Sequence, residues 1–187
     1  GIAFAIPAAA GQITIGTPDT QNCLPFFCNE SSTTVGYSID YQQVCSSSLF
    51  SGPTQITSVT GFFDSGSGSG FVTAAESYEI YWGYAPHGSV GNLSTDLASN
   101  VLGSMTFLES FGAFSGQFND DPIGDLPFGF VGFNYDPSIG DLLLEFKAYG
   151  QSDEFGGYQL ADDTGSVTSR ALCITGWGCV ADHIGLY

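Results

Sequence analysis

An all-β fold, an antiparallel β-sandwich or jelly-roll-like arrangement with one short helix, is predicted by three features of this chain. Apolar and polar residues alternate with a period of two in several stretches. Sixteen Phe and nine Tyr supply the bulky side chains that suit a pleated, half-buried surface. Twenty-six Gly and eight Pro cut the chain into short pieces joined by turns. At 187 residues the chain is long enough for one core and needs no second. Residues 1–10 read as an apolar N-terminal arm and residues 11–187 as a single β-sandwich domain.

The elements follow in order. In the arm, Ile2, Phe4 and Ile6 alternate with Ala3 and Ala5 before Pro7 ends the run. The same stretch has the look of a signal-peptide end, with Ala8, Ala9 and Ala10 as a small-residue cleavage site. Ile13 and Ile15 repeat the alternation, and Thr17 to Thr34 reads as an irregular loop pinned by Cys23 and Cys28. Tyr37, Ile39 and Tyr41 form one face of a strand. A Ser/Gly/Pro break and a second strand ending in Phe62 and Phe63 then suggest an antiparallel, half-buried pair. Asp64 to Gly70 is a Gly/Ser connection; the twelfth position of an EF-hand counted from Asp64 falls on Ala75, so that calcium loop is excluded.

Tyr78, Ile80, Trp82 and Tyr84 alternate with Glu79 and Tyr81 and predict a strand. After the turn Pro86 to Asn92, the segment Ser94 to Leu102 predicts the one helix, capped by Ser94 or Thr95. Met105 to Phe118 reads as a strand broken at Gly112, Asn119 to Pro127 as an acidic loop and Phe128 to Tyr135 as an aromatic strand. Beyond the turn Asp136 to Asp141, the residues Leu142, Leu144, Phe146 and Ala148 face in while Glu145 and Lys147 face out. A loop over Ser152 to Gly165, a strand over Val167 to Ile174 and a short tail complete about eight to eleven strands.

Nineteen acidic residues against Lys147 and Arg170 give a formal net charge of -17. Such a surface repels phosphate backbones and excludes nucleic acid as a partner. It either keeps an aromatic-rich protein soluble or draws calcium. Two acidic clusters have the oxygen density a hard cation wants: Asp120, Asp121 and Asp125, and Asp153, Glu154, Asp162 and Asp163. Cysteines in a chain with one lysine point to an oxidising compartment. The close spacing of Cys23 with Cys28 and of Cys173 with Cys179 allows two local disulfides, each contributing about 2 kcal/mol. Cys45 is left over, as a buried thiol or as a link to another subunit. No apolar run is long enough to span a membrane as a helix.

Catalytic patterns are missing. His87 and His183 are the only histidines, and there is no G-x-S-x-G elbow or zinc-protease spacing. Cys173, Cys179 and His183 fit no common zinc module. Gly176 to Ala181 mimics a dinucleotide fingerprint without the βαβ unit that gives it meaning. Glu109 interrupts the apolar run of Met105, Phe107 and Phe111 and is the one carboxylate that suggests a glycosidase pair; a bend turning it to solvent is the plainer expectation. The chain reads as no enzyme.

Several stretches carry a resemblance. TQNCLPFFCN at Thr20 to Asn29, YQQVCSSSLFSGPTQITSVTGFF from Tyr41, NLSTDLASNV at Asn92 to Val101, YDPSIGDLLLEF at Tyr135 to Phe146, and Arg170 within SVTSRAL resemble the secreted bacterial proteins that carry a PEP-CTERM sorting signal. The sorting tail itself does not occur within these residues. The resemblance implies export and a place in extracellular matrix, exopolysaccharide or floc-type material, and brings no catalytic residues. The expectation is therefore a secreted structural subunit that polymerises with other copies of itself, head to tail, by adding Ile2, Phe4 and Ile6 as a strand to its neighbour. The alternative is a monomeric, calcium-dependent module that binds exopolysaccharide on aromatic platforms such as Trp82, Tyr84 or Trp177.

Overall fold

A computed structural model describes residues 11–17, 20–22, 37–59, 63–64, 71–72, 77–112, 115–116, 132–151, 158–162 and 164–186. The strands are β1 (Thr20–Asn22), β2 (Tyr37–Cys45), β3 (Thr54–Ile56), β4 (Phe63–Asp64), β5 (Phe71–Val72), β6 (Ser77–Ala85) and β7 (Leu102–Phe111). They continue with β8 (Ser115–Gly116), β9 (Phe133–Tyr135), β10 (Asp141–Gln151), β11 (Tyr158–Asp162), β12 (Thr168–Ile174), β13 (Gly178–Asp182) and β14 (Gly185–Leu186). The fold is an antiparallel β-sandwich. Its main sheet has six strands in the order β13-β12-β2-β10-β6-β7; β1, β11, β14 and β4 form a second sheet, and β3-β9 and β5-β8 are smaller pairs.

The inner face of the main sheet is built by the alternations seen in the sequence. Tyr78, Ile80 and Trp82 of β6, Leu142, Phe146 and Ala148 of β10, Ile39 and Tyr41 of β2, and Leu172 and Ile174 of β12 are all buried. Their register places them in rows, for example Ile80, Phe146, Tyr41 and Leu172 across four strands. At one end this face packs on Phe133 and Tyr135 of β9 around Cys45 and Leu142.

The outer face is divided. Val44, Leu143 and Ala85 are sealed under Val90, Leu93, Val101 and Met105 from the segment before and at the start of β7. The remaining half carries polar rows.

Several elements differ from the sequence reading. β1 and β11 are strands within the stretches Thr17 to Thr34 and Ser152 to Gly165 that read as loops, and they pair with each other, a long-range contact that local composition does not announce. The strand from Tyr37 does not pair with the strand that follows it. β2 lies between β10 and β12, while β3 pairs with β9 and β4 with β11. It is buried on both faces from Tyr41 to Cys45, so its partners are set by long-range packing and not by the nearest turn. The expected helix at Ser94 to Leu102 is a 3-10 turn over Leu97–Asn100, and Leu102 already begins β7. Here the Asn100 amide bonds Ser94 N (2.7 Å) and Ser94 O (2.9 Å), a side-chain clamp that competes with helical backbone bonding. Finally, the stretch between Cys173 and Cys179 is a hairpin joining β12 to β13. Its tip needs left-handed backbone at Gly176 (φ 86°) and Gly178 (φ 97°), which glycine adopts without steric cost.

Candidate functional site

The other half of the outer face is where polar side chains converge. Alternation on β2, β6 and β10 brings Glu79, Lys147, Asp40 and Cys173 into one row across four paired strands, with Cys179 next to Cys173 on β13. The adjacent row holds Phe107, Tyr81, Glu145 and Gln42.

Lys147 Nζ sits 3.3 Å from Asp40 Oδ2 and 3.4 Å from Glu145 Oε2, with the Tyr81 ring centroid 5.6 Å away. Gln42 donates to Glu145 Oε1 at 2.9 Å, and Asn100 donates to Gln42 at 3.0 Å, so the 3-10 turn braces the carboxylate through two amides. Glu79 accepts the hydroxyls of Tyr81 (2.7 Å) and Tyr149 (3.1 Å). That bond is the main reason the Tyr81 phenol is pushed up to about 12.

Burial raises Asp40 above the ordinary carboxylate range, and the charge of Glu145 adds to it, against the pull of Lys147. Burial alone would lower Lys147, but Asp40 and Glu145 outweigh it and raise the ammonium. The two shifts are consistent: one cation serves two carboxylates, so the cation is over-stabilised while Asp40 is not. Asp40 Oδ1 is shut off from solvent with no hydrogen-bond partner. A groove of about 280 Å³ runs beside this cluster, between Asp40, Lys147 and Tyr149 on one side and the Cys173–Cys179 disulfide on the other.

A second constellation resembles a hydrolase triad and fails as one. Ser47 Oγ lies 3.2 Å from His87 Nδ1, and Asp141 Oδ1 lies 3.8 Å from that same nitrogen. A proton relay needs hydroxyl and carboxylate on opposite ring nitrogens, and here Nε2 faces Ser138 O at 3.3 Å. Asp141 is a structural anchor: buried, it accepts the backbone N–H groups of Ser47 (2.9 Å), Gly88 (2.9 Å) and Ser89 (3.0 Å).

The residues singled out in the sequence are distributed as follows. The disulfide joins Cys173 to Cys179. Cys45 is a buried thiol, pushed up to about 12 by burial, which removes it as a link between subunits. Asp162 is buried and holds a turn: Oδ2 accepts Thr17 N (3.0 Å), while Oδ1 accepts the backbone N–H (2.8 Å) and hydroxyl (2.6 Å) of Thr164. The other carboxylates proposed for calcium, Asp120, Asp121, Asp125, Asp153, Glu154 and Asp163, lie outside the described residues, as do Ile2, Phe4, Ile6, Cys23 and Cys28. Among the described residues no group of three or more His, Cys, Asp and Glu side chains is arranged to hold a metal.

Glu109 stands opposite Ile80 at a β-bulge, half-buried, with Oε2 shielded from solvent and unpartnered, so the bend does not turn it out. Trp82 is core and Tyr84 packs on Phe133 and Tyr135, which removes Trp82 as a platform; Trp177 is 69% exposed. The Lys147 cluster went unread in the sequence. Its signal was the spacing of Asp40 with Gln42 and of Glu145 with Lys147, each pair two residues apart and so on one strand face.

No helix among the described residues is long and apolar enough to cross a membrane. Comparison with known proteins gives no match, whether to a family model, a curated protein or a solved structure.

Proposed function

We propose that this chain is a secreted structural subunit of extracellular material that assembles with other copies of itself through the edge strands of its main sheet. The observation that carries this reading is the state of those edges. Among the described residues β7 (ten residues) and β13 (five) pair on one side only, and neither contains Lys, Arg or Pro, although Glu109 and two register shifts against β6 blunt part of β7. Leu102 and Phe107 on β7 and Val180 on β13 are exposed large apolar side chains.

The strand that would be added is the neighbour's arm, in which Ile2, Phe4 and Ile6 alternate with small residues. Contacts of that kind are head to tail and do not close, so they generate filaments. Repulsion between subunits of net charge -17 requires screening by salt or bridging by calcium. The likeness to PEP-CTERM proteins supports the extracellular setting, and the disulfide is compatible with it.

Deletion of residues 1–7 tests the proposal. Electron microscopy and sedimentation are expected to find polymers of the full chain and a folded monomer of the shortened one. Unchanged filaments after the deletion would refute strand addition by the arm.

The exposed Trp177 and the groove beside Tyr149 favour a second reading, a monomeric matrix module that binds glycan. A glycan-array signal from a chain that stays monomeric with and without calcium would support it over assembly.

A further inference from the structure

Lys147 and Arg170 are the chain's only Lys and Arg side chains, and Lys147 sits in a partly exposed cluster, 27% exposed beside an Asp40 that is 34% exposed. Its nitrogen contacts two carboxylates at once, Asp40 on the directly paired strand and Glu145 on its own. Glu145 is buried and fixed through its other oxygen by Gln42, which Asn100 fixes in turn. Asp40 Oδ1 is enclosed without a partner. One carboxyl to be attacked and a second, held in place, to take the amine's proton are two of the groups that amide formation between side chains needs.

We propose that Lys147 and Asp40 condense into an isopeptide bond that joins β10 to β2, with Glu145 as the proton carrier.

The step starts from the fraction of molecules in which Asp40 is the un-ionised acid and Lys147 the ammonium. Glu145 takes a proton from Nζ, and the freed amine attacks Asp40 Cγ. The proton then passes to the departing hydroxyl, which leaves as water, while Glu145 keeps the second proton lost from nitrogen until solvent removes it. One C–N bond forms and one C–O bond breaks; ammonium, acid and carboxylate become amide, water and protonated Glu145.

Geometry favours the step. Nζ is 3.3 Å from Asp40 Oδ2, and Cγ lies one carbon–oxygen bond, about 1.2 Å, from that oxygen. The amine and the carboxyl are therefore already in contact, and attack requires Nζ to shift from the oxygen onto the carbon. Burial and Glu145 raise Asp40 against the pull of Lys147, which enlarges the share of the neutral acid, the form that loses hydroxide. The same carboxylates keep Lys147 charged, which is why a base touching the nitrogen is required.

Intact mass of the mature chain, reduced and fully denatured, decides the matter. The wild type is expected to weigh one water less than its sequence, and proteolysis to release the peptides containing Asp40 and Lys147 as one branched species. Asp40→Ala and Lys147→Arg are expected at full mass. Glu145→Gln is expected at full mass or to lose water far more slowly. A wild type at full mass overturns the proposal without reference to any variant's folding. A missing water that persists in Asp40→Ala or Lys147→Arg also overturns it, and Glu145→Gln dehydrating as fast as wild type would remove Glu145 from the step.

Discussion

The two faces of the main sheet each hold one of the chain's two cations, and they treat it differently. On the inner face Arg170 is buried, forked onto both oxygens of Asp182 at 2.9 and 3.0 Å and bonded to Asn22 of β1 at 2.7 Å. It therefore ties three strands together from inside the sandwich. On the outer face Lys147 lies at the edge of a groove among three carboxylates. A planar fork with fixed donors suits a buried, geometric task, whereas a single ammonium on a flexible stem suits a partly wet one. In a chain of net charge -17, both cations are consumed internally. The surface offered to neighbours is correspondingly acidic.

The contrast can be broken at the inner cation first. Arg170→Ala leaves the Asp182 carboxylate without its fork and removes the bond to Asn22, and is expected to lower stability by about 3 kcal/mol, read from denaturant midpoints. On the covered half of the outer face, Leu143→Ala should cost nearly as much, about 3 kcal/mol, because it opens a cavity under Val90 and Met105. Phe107→Ser, on the other half and 52% exposed, should stay within about 0.5 kcal/mol, so the boundary of the covering segment is measurable.

Converting both Cys173 and Cys179 to Ser removes the constraint on the β12–β13 hairpin and is expected to cost about 2 kcal/mol. The smallest effect concerns pH. Tyr81 ionises near 12 in the folded chain, above its ordinary value of 10, so the stability it lends is complete below 10 and declines as pH rises from there toward 12. Glu79→Gln should bring the phenolate absorbance of Tyr81, isolated by difference against Tyr81→Phe, to lower pH.

Much of this architecture is legible in the residues. Strict alternation on β6 and β10 announced two long strands and their inward faces, because a period of two is a local property of the chain. The position of β2 was not legible. Its bonds run to residues far along the sequence, such as Gln42 to Glu145, and the turn after Ser46 suggested a nearer partner. The 94–102 segment misled for a similar reason. A cap-like Ser94 and apolar Leu97, Val101 and Leu102 fit a helix, but Asn100 is used to clamp the turn and to reach Gln42. The Ser47, His87 and Asp141 grouping shows the converse: residues suited to catalysis were brought together in a geometry that cannot use them.

The sheet edges remain the basis of the functional proposal, and β7 is the longer of the two. Lysine placed at Ser104 and Thr106, both exposed, should block strand addition there while leaving the fold intact. Sedimentation of the wild type and the double variant, in salt and calcium sufficient to screen the acidic surface, measures this most directly. Polymers are expected from the wild type and a monomer from the variant; a wild type that stays monomeric across all concentrations, or a variant that polymerises equally well, rules out assembly through β7.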